Sequence, residues 1–195
     1  MACHQKKAQE IGATIAFIDE CAVMSAPIVC RTWAPRGQTP ILKRVGRNHT
    51  KVSVIGAICA KPGRRKSARV YFRIHRGRNL DAAGCREFLR QLMGNIKGPV
   101  IVVWDRLNAH RSKKVKAFVA TQNGQLHLRY FPAYAPELNP IETAWGYLKG
   151  KVLANHAPAN ADELFHAAKR GLCRTRSSRQ LVCSFIEHSG LSFFG

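Results

Sequence analysis

Two apolar runs in this chain each end on an aspartate, and they restrict the possible folds more than any other feature. Ala13 to Ile18 is wholly apolar or β-branched and then meets Asp19-Glu20. Val100-Ile101-Val102-Val103-Trp104 does the same before Asp105. A run without polar alternation marks a strand covered on both faces, as in a sheet sandwiched between helices. If the two strands lie side by side in parallel, Asp19 and Asp105 emerge together at one sheet edge, where open α/β sheets tend to bind ligands.

The remaining pattern supplies the rest of such a domain. Lys51 to Ala60 is a Val- and Ile-rich run, and Val70 to His75 alternates with period two. With the basic segment Lys61-Pro62-Gly63-Arg64-Arg65-Lys66 as the turn between them, the two read as an antiparallel hairpin. From Asp81, a candidate N-cap, the spacing of Cys85, Phe88, Leu89, Leu92 and Met93 is helical. Ser112 is placed to cap a short helix with Val115, Phe118 and Val119 inward and Lys113, Lys114 and Lys116 outward. Leu126 to Phe131 reads as a strand, Pro132 to Pro136 as a loop, and Asn139-Pro140 as the start of a helix with Ile141, Trp145, Leu148 and Val152 on one stripe. Asn160 and Glu163 suggest a capping box, and Leu181 to Ile186 a last helix. Strands first, then helix, strand, helix, strand and helix indicate an α/β domain: a mixed β-sheet flanked by α-helices.

Charge names the partner. Lys and Arg number 32 against 11 Asp and Glu, a net charge of +21. A surplus of that size makes a polyanion the default ligand, because neutralising phosphates releases counterions. Charge alone also fits a ribosomal or nucleic-acid-coating protein. The seven cysteines are scattered with no Cys-x-x-Cys pair, which argues against a zinc ribbon or thioredoxin-type site and suits a reducing cytoplasm. No apolar run reaches the ~20 residues needed to cross a bilayer, and the polar N-terminus lacks a signal-peptide core. The expected setting is the cytoplasm, with no membrane partner.

Glu142 adds a third acid in the first turn of a helix. Carboxylates brought close repel unless one takes a proton or a cation sits between them. Mg²⁺ takes oxygen ligands and keeps substrate phosphates in its shell, and three carboxylates can hold two such ions ~3.5–4 Å apart for in-line phosphodiester displacement. Taken singly, each acid has a plainer reading. Asp19 and Asp105 suit turn residues or helix caps, and Glu142 stands at capping-box spacing from Asn139.

The residues around these acids resemble the DDE transposases of the mariner-like superfamily, particularly the bacterial insertion-sequence branch. The resemblance is carried by Ala16-Phe17-Ile18-Asp19-Glu20, by Arg31 to Pro40 (RTWAPRGQTP), by Val102-Val103-Trp104-Asp105 to His110-Arg111-Ser112, and by Pro132 to Glu142 (PAYAPELNPIE) with Trp145 and Leu148-Lys149. It implies a ribonuclease-H-like fold, with Asp19, Asp105 and Glu142 as both catalytic and metal-holding acids. It further implies Mg²⁺ or Mn²⁺, two ions in all. His110 matches a histidine that commonly follows the second acid, and is read either as orienting a phosphate or ligand or as a packing residue. Family members often carry Asn after the second Asp, where this chain has Arg106.

The resulting expectations are these. Residues 1–12 form a short basic leader, 13–155 the ribonuclease-H-like DDE catalytic domain, and 156–195 C-terminal helices packed on it. The function is divalent-metal-dependent DNA cleavage and strand transfer in a bacterial, nucleoid-associated setting. DNA contacts fall to Arg36, Arg64, Arg65, Lys66, Arg106, His110, Arg111, Lys113, Lys114 and Lys149. The partners are element-end and target DNA and a second copy of the chain. Full transposases of this type carry an N-terminal helix-turn-helix, and little chain precedes Asp19. The expectation is therefore either the second half of a split reading frame or a decayed remnant. A ribonuclease-H-type nuclease and a catalytically silent DNA-binding fragment are the competing readings.

Overall fold

Thr14–Met24 (β1), Lys51–Lys61 (β2) and Arg64–Arg76 (β3) pair in sequence as an antiparallel meander in a computed structural model of the chain. The structure describes residues 2–26, 28–42, 50–77, 79–132 and 135–194. Val100–Trp104 (β4) joins the other edge of β1 in parallel, and Leu126–Tyr130 (β5) pairs in parallel with β4. The sheet is thus five-stranded and mixed, in the order β3-β2-β1-β4-β5. The parallel neighbours expected for the two Asp-ended runs are observed, with Phe17 opposite Val103.

Helices cover both faces. Ala82–Asn95 (α2) and Lys113–Ala120 (α3) lie on one side, where Cys85, Phe88, Leu89, Leu92 and Val115 meet Ala16, Ile18, Val102 and Trp104. Pro140–Tyr147 (α4), Ala161–Ser177 (α5) and Arg179–His188 (α6) lie on the other, over Ile15, Phe17, Cys21, Val23, Val54 and Val103. Odd residues of β1 therefore face α4–α6 and even ones face α2 and α3, the period-two alternation of a strand. The capping signals hold locally. Asp81, Ser112 and Asn160 accept from the backbone N–H of Gly84, Val115 and Glu163. Ser178 caps α6 through Leu181 N.

Four local expectations need correction. β1 does not stop at Asp19: its ladder with β2 runs on to Met24 opposite Lys51, and only the shorter β4 ends beside Asp19. The hairpin turn is Pro62-Gly63 alone, with Gly63 at φ +73°, so Arg64, Arg65 and Lys66 begin β3. Gly supplies that positive φ without a Cβ clash, which lets two residues reverse the chain. The polar leader contains a helix, Ala2–Glu10 (α1), held on the body by buried Ala8. Past Tyr147, α4 widens into a π-turn over Leu148–Val152. In the loop before α4, Ala133 and Tyr134 lie outside the described residues. Among the described residues, no helix is long and apolar enough to cross a membrane.

Candidate active site

Asp19, Asp105 and Glu142 line one cleft of about 200 Å³, together with Phe131, Pro132, Ala135 and Asn139. Each acid arrives by a different route. Asp19 is an odd residue of β1 and points to the α4 side; Asp105 follows the last residue of β4; Glu142 stands in the first turn of α4. Pro140 at the helix start fixes φ where no backbone N–H is needed.

Asp19 is only 8% exposed, and its Oδ2 accepts a 2.9 Å hydrogen bond from Nε1 of buried Trp145. Burial, the Glu142 carboxylate and the Glu20 carboxylate together push its pKa up to about 8, against the pull of the Trp145 bond. A carboxylate so disfavoured without a counter-charge takes a proton or a cation. Asp105 is half-buried. Burial raises its pKa, but the His110 imidazole paired against it and the hydrogen bond from Leu107 N, at 3.1 Å to Oδ1, outweigh burial and hold it below the usual range.

The cleft suits a hard divalent ion. Among the described residues its lining has no Lys or Arg, in a chain of +21 net charge, and the facing donors are oxygens. Asn139 contributes a fourth polar group. It is 5% exposed, its side chain caps nothing, and its Oδ1 has no hydrogen-bond partner among the described residues. The capping-box reading of Glu142 is therefore not what the structure contains: the link between the two residues is Glu142 N to the Asn139 carbonyl.

Three residues at the site carry roles that the sequence reading did not assign. Trp145 was read as a core residue on a stripe, yet it also holds Asp19. Gly56 lies opposite Asp19 in the β1–β2 ladder, and the Trp145 ring passes over it. Glu20, being even-numbered in β1, faces the α2 side and contacts His110 through both carboxylate oxygens at 2.9 and 3.0 Å. The signal for Glu20 lay in the Asp-Glu pair itself, since consecutive strand residues must serve opposite faces.

The basic residues read as DNA contacts divide. Arg36, Arg64, Arg65, Lys66, Arg106, Arg111, Lys113 and Lys114 are exposed, and Lys149 is half-buried in the π-turn. Arg65 is engaged within the fold, 2.5 Å from Glu187 and over the Phe194 ring. His110 is corrected: at 1% exposure, stacked on Trp104 with ring centroids 3.9 Å apart, it is a buried residue and offers no DNA-facing surface. Burial alone would depress its pKa, but Asp105, Cys85 and Glu20 more than offset that and lift it to about 11.

The architecture is shared with solved structures of the Mos1 mariner transposase. The Mos1 mariner paired end complex with Mn matches at TM-score 0.62 and 15% identity, over 97% of this chain and 58% of that one. The Mos1 Strand Transfer Complex matches at 0.63 and 16%, over 98% and 58%. The catalytic domain of Mos1 mariner transposase matches at 0.56 and 14%, over 98% and 87%. This chain therefore spans a little over half of the Mos1 chains in the paired-end and strand-transfer complexes. The likeness gives the fold, a ribonuclease-H-like mixed sheet flanked by helices. No curated protein matches the chain in sequence. The family model of the DDE superfamily endonucleases matches residues 14–165, from the first residue of β1 into α5. A match over most of the chain, with three acids at one cleft on this sheet, places the protein in the DDE superfamily endonuclease family.

Proposed function

We propose that this chain is the catalytic domain of a mariner-like transposase of the bacterial insertion-sequence branch, which cuts DNA and transfers the cut strand to a new site. The observation that carries the reading is the convergence of Asp19, Asp105 and Glu142, from two strands and a helix, on one cleft with no basic lining residue among the described residues. These acids, with Asn139 Oδ1 beside them, would hold two Mg²⁺ or Mn²⁺ ions. Mos1 structures with Mg and with Mn on the same fold support that choice. Such a pair supplies activation of the attacking oxygen and stabilisation of the leaving oxygen of the phosphodiester.

The chain's own residues do the remaining work. Trp145 fixes the rotamer of Asp19, so that this carboxylate reaches the cleft in one orientation. Leu107 N holds Asp105 Oδ1. Exposed Arg36, Arg64, Lys66, Arg106, Arg111, Lys113 and Lys114 bind phosphates without reading sequence, since backbone contacts position DNA and base contacts specify it. Arg65, paired with Glu187, and Lys149, half-buried in the π-turn, are further phosphate contacts in this reading. The partners are element-end and target DNA and a second copy of the chain. Element-end complexes of Mos1 are consistent with the DNA partner.

The test is nicking of supercoiled plasmid by the purified chain in Mn²⁺, which asks for no end sequence. Wild type converts plasmid to the nicked form, while Asp19→Asn, Asp105→Asn and Glu142→Gln each lose at least ~10²-fold in rate. Nicking that survives Asp105→Asn would overturn the assignment. A covalently joined product with a pre-cut end separates strand transfer from simple hydrolysis.

A further inference from the structure

Glu20, Cys85 and His110 form a polar cluster on the α2–α3 side of the sheet, away from the cleft, with their ligand atoms within 4.8 Å of one another. A histidine, a thiol and a carboxylate at such spacing could be an open metal site. The contacts decide otherwise. His110 Nε2 already faces both Glu20 oxygens at 2.9 and 3.0 Å, and the Cys85 thiol donates to Glu20 Oε1 at 3.7 Å. Both groups direct their donors at one carboxylate, so the cluster satisfies itself and an ion would have to displace both protons.

The other edge of the same imidazole is more informative. His110 Nδ1 is salt-bridged to Asp105 Oδ1, so one buried ring lies between a carboxylate on each side. It is locked in plane by stacking on Trp104, whose backbone is in β4 one residue before Asp105. Glu20 is itself adjacent to Asp19. The connection thus starts beside the first acid, passes under the sheet edge, and ends on the second.

We propose that Glu20 and His110 act as a positioning pair for Asp105: Glu20 orients the imidazole, and the imidazole holds Asp105 at the angle that aims its free oxygen into the cleft. This rests on the reading of Asp105 as a metal-holding acid. Asp105 needs such support because, unlike Asp19, it lies beyond the end of its strand with no ladder of its own. The arrangement is a carboxylate–histidine–carboxylate chain behind a ligand. Partners of that kind typically change metal affinity 10–100-fold when removed.

Mn²⁺ alone is the probe, followed by calorimetric titration of the full chain without DNA. Glu20→Gln keeps the shape and one acceptor but removes the charge, and His110→Asn removes the bridge. Each is expected to weaken Mn²⁺ binding about tenfold, with the double variant no weaker than His110→Asn alone. In plasmid nicking, kcat should fall while KM for DNA holds. Cys85→Ser should bind Mn²⁺ as wild type does. Mn²⁺ affinity within twofold of wild type in both Glu20→Gln and His110→Asn, with lowered thermal stability only, would make the cluster structural and end the proposal. If Asp105→Asn itself binds Mn²⁺ normally, the reading of the active site falls and this proposal with it. If Asp105→Asn loses Mn²⁺ while the two partners' variants keep it, only the positioning role falls. Should His110→Asn fail to fold, Glu20→Gln alone decides.

Discussion

Gly56 and Trp145 occupy a single space: a Cβ built on Gly56 would lie 2.6 Å from Cη2 of the indole. Since Gly56 is the ladder partner of Asp19, the bare backbone at that point is what allows the ring to cross β2 and donate to Asp19.

Gly56→Ala should therefore damage both fold and site. The atom it meets belongs to a rigid buried ring, so relief requires moving Trp145 and not a flexible chain end. Overpacking of this kind costs about 1–3 kcal/mol, and urea denaturation should report it as a lower midpoint at unchanged m-value. Trp145→Phe deletes the donor and also the part of the indole that packs over Gly56. Its expected cost is about 2–3 kcal/mol, the lost hydrogen bond plus the cavity, accompanied by weaker Mn²⁺ binding near neutral pH. Binding unaffected by Trp145→Phe would mean the indole serves packing alone.

The raised pKa of Asp19, about 8, sets a pH dependence. Between its ordinary value near 4 and about 8, folded metal-free protein keeps a proton that the unfolded chain has released. Stability therefore falls as pH rises through this window, and the penalty is complete above about 8. Asp19→Asn lacks that penalty. Thermal scans in chelator should find the variant more stable than wild type at pH 8.5 and the difference closing by pH 4, with each kcal/mol worth roughly 2–4 °C. Mn²⁺ binding should displace the same proton, so affinity climbs with pH up to about 8 and then levels. Calorimetry in two buffers of different ionisation enthalpy counts the protons released.

A second glycine gives a control away from the acids. Gly171 in α5 faces the π-turn, where an added Cβ would approach Val152 Cγ1 to 2.5 Å and Leu148 Cδ1 to 3.0 Å. Ala is the better helix former by about 1 kcal/mol, but the crowding should outweigh it. Gly171→Ala is expected to be destabilised by about 1–2 kcal/mol net, with the Mn²⁺ affinity of wild type. A stabilised Gly171→Ala would show that the α5 contact is loose.

Lys113 and Lys114 project from the start of α3 into solvent. If they contact phosphates, replacing both with Gln should weaken DNA binding evenly across unrelated sequences. It should also flatten the dependence of log K on log salt by up to about 2. Anisotropy titrations at several salt concentrations measure this, and an unchanged slope would remove the pair from the DNA surface.

Much of this was legible beforehand because it is written in local pattern. The unbroken apolar runs before Asp19 and Asp105 announced buried parallel neighbours, and Asp81, Ser112 and Asn160 announced helix starts. What escaped depends on contacts between distant segments. The tail of β1 past Asp19 exists because β2 continues beside it, and nothing in Cys21–Met24 alone specifies that partner. The bond from Trp145 to Asp19 requires knowing that Gly56 lies between them. For His110 the sequence leaves a ligand-orienting and a packing role both open, and the choice depends on Glu20 and Asp105 being found against it. The helical leader lacks an apolar stripe long enough to declare itself; among its described side chains only the small Ala8 is a buried hydrophobic.

The adjacency of Asp19 and Glu20 makes the chemistry hostage to strand parity. A deletion or insertion of one residue upstream in β1, with its pairing kept, would exchange the two acids between faces. A deletion would put the glutamate in Asp19's place and leave His110 without a carboxylate at its own rung; an insertion would put the aspartate, one methylene too short, under His110 and leave the Asp19 position empty of acid. Within β1 only even steps preserve the side each acid serves.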